Sequence, residues 1–168
     1  KDLHLPSSHL GLAPVHEILD WERKIKKWAS IAKDYLDVES FKKLLLPPQS
    51  KDREIKYLPN KNSELTHPIA IAEDEAFHFK YQETKELLEK NGMPIISWNP
   101  LEDENIPNEA RGLIIPGGFP EQHAKQLSNS RISLKSLKLF AKKLPIYAEC
   151  GGMMLLGKSI FDEHGSEY

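Results

Sequence analysis

The stretch Pro145-Ile-Tyr-Ala-Glu-Cys-Gly-Gly152 decides how this chain is read. Pro145 to Ala148 has the short apolar character of a strand buried in a parallel sheet. Glu149, the chain's one cysteine and two glycines follow, and the pattern from Gly152 to Leu156 is helical. The stretch is predicted as strand, sharp turn and helix, with Cys150 at the turn. A nucleophile held there stands above the sheet edge. Its backbone is crowded, so the residues after it must be small, and Gly151 and Gly152 meet that need. The free N–H groups and positive dipole end of the following helix favour thiolate over thiol. The fit to the hydrolase elbow is incomplete, because Ala148 stands where a glycine is expected two residues before the nucleophile.

Upstream, Leu113-Ile-Ile115 reads as another strand and runs into Pro116-Gly-Gly-Phe-Pro120. A thiolate attacking a carbonyl generates an oxyanion that needs backbone donors. The Gly151 N–H is one candidate donor. Gly117 and Gly118, at a neighbouring strand end, are candidates for the second and for close approach to a substrate. Further back, Ile69-Ala-Ile-Ala72 and Pro94-Ile-Ile-Ser-Trp98 are predicted strands. Between them, 80–91 is predicted as an amphipathic helix (Tyr81, Thr84, Leu87, Leu88) stopped by Asn91-Gly92. Pro100 to Ala110 is acidic and loop-like. One or two helices fill 121–143, with Leu127, Leu134, Leu137, Phe140 and Ala141 inward. Strands alternating with helices over short connections predict an α/β fold: an open, mostly parallel sheet with flanking helices and right-handed crossovers. Sites in such sheets form at the carboxyl ends of the strands, where Gly117-Gly118 and Cys150 both fall.

The N-terminal part differs. Residues 15–46 read as helical from Val15, Ile18, Leu19, Ile25, Trp28, Ile31, Leu36, Phe41 and Leu44, with a second helix starting at Asp34 or Asp37. Residues 47–66 are polar, broken by Pro47-Pro48 and Pro59-Asn60, and read as a linker. The expected organisation is 1–46, 47–66 and 67–168.

Composition narrows the classes. The formal net charge is -2, which gives no broad basic field for nucleic acid or anionic lipid. No apolar run approaches the roughly 20 residues that span a bilayer, and Lys1-Asp-Leu-His-Leu-Pro6 lacks a signal-peptide core. A cytoplasmic location is the default expectation. One cysteine excludes an internal disulfide framework and argues against a multi-cysteine zinc site, so no metal site is expected. A cysteine nucleophile needs a histidine within reach. His4, His9 and His16 lie in the other part. His78 follows the first strand of the sheet part, His123 follows the Gly-Gly loop, and His164 lies in the predicted hairpin turn Asp162-Glu-His-Gly165. None stands out as the base. Glu149 adjoins Cys150, but neighbours on a tight turn point apart.

Taken in order, Ile69-Ala-Ile-Ala-Glu-Asp-Glu-Ala-Phe-His-Phe-Lys-Tyr81, Pro100-Leu-Glu-Asp-Glu-Asn-Ile-Pro107, Pro116-Gly-Gly-Phe-Pro-Glu121 and Pro145-Ile-Tyr-Ala-Glu-Cys-Gly-Gly-Met-Met154 resemble the cobyrinate a,c-diamide synthase family. His9-Leu-Gly-Leu12, with Pro14 and Glu17, resembles the closing stretch of that family's N-terminal domain. The resemblance implies a two-domain enzyme. A dethiobiotin-synthetase-like domain uses ATP and Mg²⁺ to activate the a and c carboxylates of a corrin-ring substrate, cobyrinate or hydrogenobyrinate. A class I glutamine amidotransferase domain, flavodoxin-like in fold, releases ammonia from glutamine to amidate them. The resemblance places the nucleophile at Cys150 and the oxyanion region at Gly117, Gly118 and Gly151. It gives the 74–79 run as a signature without a specific role.

The departures matter equally. The string G-x-x-x-x-G-K-[ST] occurs at Gly152–Ser159, but its first five residues read as the helix after Cys150 rather than as a strand-to-helix phosphate loop, so the ATP and Mg²⁺ site is expected outside this chain, and none is expected on it. The family's catalytic histidine falls beyond Tyr168. The chain is therefore expected to be an internal fragment, 1–46 closing the synthetase domain and 67–168 opening the glutaminase, and to be inactive by itself. Cobyric acid synthase, a sirohydrochlorin amidase, a cysteine hydrolase of small amides and a non-catalytic scaffold are the competing readings. A homodimer is left open.

Overall fold

The computed structural model describes residues 3–5, 18–45 and 66–168. The chain divides into two compact units, Lys1–Ile55 and Lys56–Tyr168. The predicted linker 47–66 lies outside the described residues except for Thr66. Val15, His9, His16 and the run Leu10 to Leu12 with Pro14 and Glu17 also lie outside them.

In the first unit α1 spans Trp21–Tyr35 and α2 spans Val38–Leu44. Asp37 is the residue that starts the second helix. Its carboxylate accepts the Ser40 N–H at 3.0 Å, which also holds its pKa below the usual carboxylate value. The predicted apolar stripe forms, yet neither helix buries a residue, and Trp21, Ile25, Phe41 and Leu44 are exposed.

In the second unit four strands, β1 (Ile69–Ala72), β2 (Ile95–Trp98), β3 (Gly112–Ile115) and β4 (Ile146–Ala148), make an all-parallel sheet of order β2-β1-β3-β4. The helices are α3 (Gln82–Lys90), α4 (Ala124–Asn129), α5 (Arg131–Phe140) and α6 (Gly151–Leu155). Register aligns Ala70 with Leu113 and Leu113 with Ile146, and Ala72 with Trp98. Aligned residues share a face, so Ala70, Ala72, Trp98, Leu113 and Ile115 form one apolar surface. It buries against Leu127 of α4, Leu137 of α5 and Leu155 of α6. The opposite face carries Ile71, Ile114 and Tyr147. Leu88 of α3 lines a cavity of about 360 Å³ over it, and Tyr147 is exposed.

Several expectations shift in detail. Ala141 is exposed, because α5 ends at Phe140 and Ala141 begins the turn after it. Tyr81 precedes α3 and, like Thr84, is exposed, so only Leu87 and Leu88 face inward. The 100–110 loop holds a short 3₁₀ turn, Pro100–Glu102. Its end is tied to α5: Asp103 accepts the Ile132 and Ser133 N–H groups at 2.7 and 3.0 Å, capping the helix from afar. The buried Ser133 hydroxyl donates to the Glu104 carbonyl at 2.8 Å, and Trp98 Nε1 donates to the same oxygen at 3.1 Å.

Candidate functional site

Cys150 stands between β4 and α6 with φ 49° and ψ -121°. Asp20 and Asp103 are the other described non-glycine residues with positive φ, and both have the small positive ψ of the left-handed helical region. The ψ of Cys150 lies far from that region. Such backbone is strained by roughly 1–3 kcal/mol and is held only by its surroundings. Those surroundings are glycines. A Cβ on Gly151 would stand 2.6 Å from the Gly118 carbonyl oxygen, and one on Gly152 would collide with the Ile115 carbonyl. Only glycine lets the turn seat so deeply between β3 and β4. The Glu149 N–H donates to Ile115 at 3.2 Å and the Gly152 N–H to Glu149 at 2.8 Å.

The Pro116–Pro120 loop lies directly against this turn. A Cβ on Gly117 would come within 3.4 Å of the Cys150 Cβ. The structure thus brings together all four predicted residues: Gly117, Gly118, Cys150 and Gly151. Among the described residues the Gly118 and Gly151 N–H groups donate to no acceptor. Cys150 is exposed, and its sulfur has no hydrogen-bond partner among the described residues.

The histidines are elsewhere engaged. The His78 Nδ1 lies 3.0 Å from the Glu75 carbonyl, and its ring packs edge-on to Phe79 at 4.5 Å. His123 stands at the start of α4, and His164 is an exposed turn residue beside Glu163. None of them bonds to Cys150. The Glu149 carboxylate takes a 3.0 Å hydrogen bond from the Tyr147 hydroxyl, which raises the tyrosine pKa. That pair faces the open side of the sheet with Glu73 and Lys80, which form an ion pair. Burial pushes the Lys80 pKa down, helped by nearby Lys85.

The run 74–79 is where reading from sequence stopped short. Asp74 accepts the Ala76, Phe77 and Leu101 N–H groups at 2.9, 3.1 and 3.0 Å. Ala76 and Phe77 are fully buried. The signal was an Asp two and three residues before buried positions, the pattern of a side chain closing its own turn.

Residues 68–168 match the CobB/CobQ-like glutamine amidotransferase domain. The chain belongs to this glutamine amidotransferase family. A cobyrinate a,c-diamide synthase of Caldanaerobacter subterraneus is 41% identical over 169 residues, covering 99% of this chain and 36% of that protein. The Listeria innocua enzyme of the same name is 38% identical, covering 98% and 36%. The one from a Synechococcus strain is 32% identical, covering 99% and 37%. The chain thus spans a little over a third of the length of these relatives. No solved structure matches. The amidotransferase match begins at Pro68, one residue before β1, and takes in the whole sheet. Among the described residues no helix is long and apolar enough to cross a membrane. No group of three or more His, Cys, Asp and Glu side chains among them is placed to hold a metal ion.

Proposed function

We propose that this chain is part of a cobyrinate a,c-diamide synthase and supplies the nucleophile of its glutaminase site. One observation carries the reading: a cysteine in strained elbow backbone, with Gly117 against it and two N–H groups beside it unbonded among the described residues. Residues 1–46 close the synthetase domain, 47–66 link the domains and 67–168 open the amidotransferase. The family match from Pro68 supports the start of the last part, and the coverage of the relatives' length supports a segment of a longer protein.

The chemistry follows from the site. The Cys150 sulfur attacks the side-chain amide carbon of glutamine, and the carbonyl oxygen becomes an oxyanion. The Gly118 and Gly151 N–H groups stabilise it, with Gly117 leaving room for the substrate. The C–N bond breaks, the thiol proton leaves with the nitrogen as ammonia, and a thioester remains. Water then attacks the thioester through a second oxyanion and releases glutamate. A histidine of the parent polypeptide moves these protons in this reading. The ammonia amidates the a and c carboxylates of cobyrinate or hydrogenobyrinate, and ATP with Mg²⁺ activates them. The G-x-x-x-x-G-K-S string at Gly152–Ser159 begins within α6 rather than in a strand-to-helix loop, so the ATP and Mg²⁺ site is read as belonging to another part of the parent enzyme. The parent enzyme is cytoplasmic in this reading.

The test is ammonia rescue in the parent polypeptide. Cys150→Ala is expected to abolish glutamine-dependent amidation and to leave amidation from added ammonium salt intact. Glutamine hydrolysis that survives the substitution sinks the reading.

A further inference from the structure

Two peptides of the Gly117–Phe119 loop are held from one side by the Asp74–Phe79 loop. The Phe79 N–H donates to the Gly117 carbonyl at 3.0 Å, an isolated antiparallel bridge. The Phe119 N–H donates to the Ala76 carbonyl at 3.0 Å. Across a trans peptide the C=O and N–H point in opposite directions, and the described chain has no cis bond. The Gly118–Phe119 peptide shows what lies on each side. Its N–H meets Ala76, and its carbonyl faces Gly151. Gly117 itself lies between Phe79 and Cys150, its absent Cβ 3.3 and 3.4 Å from theirs. With the Gly117 carbonyl tied to Phe79, the Gly118 N–H is turned away from the 74–79 loop and toward the cysteine. Rotating that peptide would break the Phe79 bond and bury the carbonyl's lone pairs against the elbow.

We propose that the Asp74–Phe79 loop is a brace that keeps the Gly118 N–H aimed at the reacting carbonyl, and that Asp74 is its positioning residue. Asp74 closes the loop on itself through Ala76 and Phe77 and ties it to Leu101. Gly118 has no room for a side chain against the Ala76 carbonyl, so brace and donor loop are in backbone contact. Phe79 and Phe119 add an edge-to-face ring pair at 5.3 Å. Asp74 touches no substrate. It acts through the orientation of one peptide.

The inference rests on the glutaminase reading above, and two thiol reagents separate the two. A haloketone analogue of glutamine reacts through a tetrahedral adduct that needs the oxyanion donors. Iodoacetamide alkylates a thiol by direct displacement and does not. In the parent polypeptide, Asp74→Ala and Phe79→Pro, which deletes the donor N–H, are expected to lower kcat for glutamine hydrolysis by about 10²–10³, the size of losing one oxyanion donor. KM stays within about threefold of the unsubstituted enzyme by the uniform-binding argument. Haloketone labelling of Cys150 slows in parallel, while iodoacetamide labelling keeps its rate. Asp74→Asn, which retains an acceptor for Ala76 and Phe77, falls between and serves where the proline variant does not fold. A kcat unchanged in Asp74→Ala and Asp74→Asn overturns the brace, and so does equal slowing of both reagents. Hydrolysis that persists in Cys150→Ala instead removes the glutaminase reading beneath it.

Discussion

Gly117 and Cys150 are in contact: a methyl group on Gly117 would stand 3.4 Å from the Cys150 Cβ and 3.3 Å from that of Phe79. The space is tight rather than closed, so Gly117→Ala is expected to fold with a loss of about 1 kcal/mol. The displaced neighbour is the nucleophile's own turn, and small misplacements of reacting groups cost up to about 10²-fold. Urea denaturation should therefore show a small shift while ammonia release from glutamine falls at least tenfold. Gly118→Ala is the harsher change, because the Ala76 carbonyl occupies the Cβ position and has no rotamer to move into. About 3 kcal/mol or more is expected there.

Burial raises the pKa of Asp74, against the three backbone N–H groups and the His123 charge that lower it. In the folded state it binds its proton more tightly than in the unfolded chain, whose value is near 3.8. Between 3.8 and the raised value the native state holds more protons, so stability falls as pH rises through that window and is flat above it. Asp74→Asn removes the ionisation. Unfolding free energies measured across mildly acidic pH should show the wild type losing ground to Asp74→Asn as pH rises. The opposite slope in that difference would contradict a burial-dominated carboxyl.

Much of this was legible from sequence, for physical reasons. Parallel strands covered on both faces run apolar without alternation, which exposed Ile69-Ala-Ile-Ala72 and Leu113-Ile-Ile115. A nucleophile's turn demands small residues after it, which exposed Gly151-Gly152. The less legible features depend on partners distant in the chain. Ser133 looks like a solvent-facing helix residue until the Glu104 carbonyl, 29 residues away, accepts from its hydroxyl. Asp103 caps a helix that starts 28 residues later. The apolar stripe of α1 predicted its helix, while the helix buries no residue in the structure, because periodicity reports a face and not what covers it. The brace role of Asp74–Phe79 needed the bonds to Gly117 and Phe119, which no local pattern encodes.

The Glu104 carbonyl is a shared anchor for Trp98 and Ser133, both nearly inaccessible to solvent. Trp98→Phe keeps most of the ring volume and removes one donor. Ser133→Ala removes the other. Either alone leaves one bond to the oxygen and is expected to cost about 1–2 kcal/mol. Together they strip both donors from a partly buried acceptor, so the double variant should lose more than the sum of the two. A double-mutant cycle by chemical denaturation measures the excess, and simple additivity would rule out the shared-anchor account.

Cys150 carries the site's largest conflict between stability and chemistry. Its φ of 49° with ψ of -121° is backbone that a β-carbon resists and glycine accepts readily. The side chain is exposed and donates to no described partner, so removing it forfeits little packing. Cys150→Gly is therefore expected to raise stability by about 1–3 kcal/mol, the strain such backbone stores. Cys150→Ala removes the thiol but keeps the β-carbon, so its stability should stay near wild type. Both abolish glutamine hydrolysis in the parent polypeptide under the reading proposed above. Thermal melting of the two variants side by side isolates the strain. A glycine variant no more stable than the alanine variant would mean that the flexibility glycine adds to the unfolded chain cancels it, and that the elbow is less strained than its angles imply.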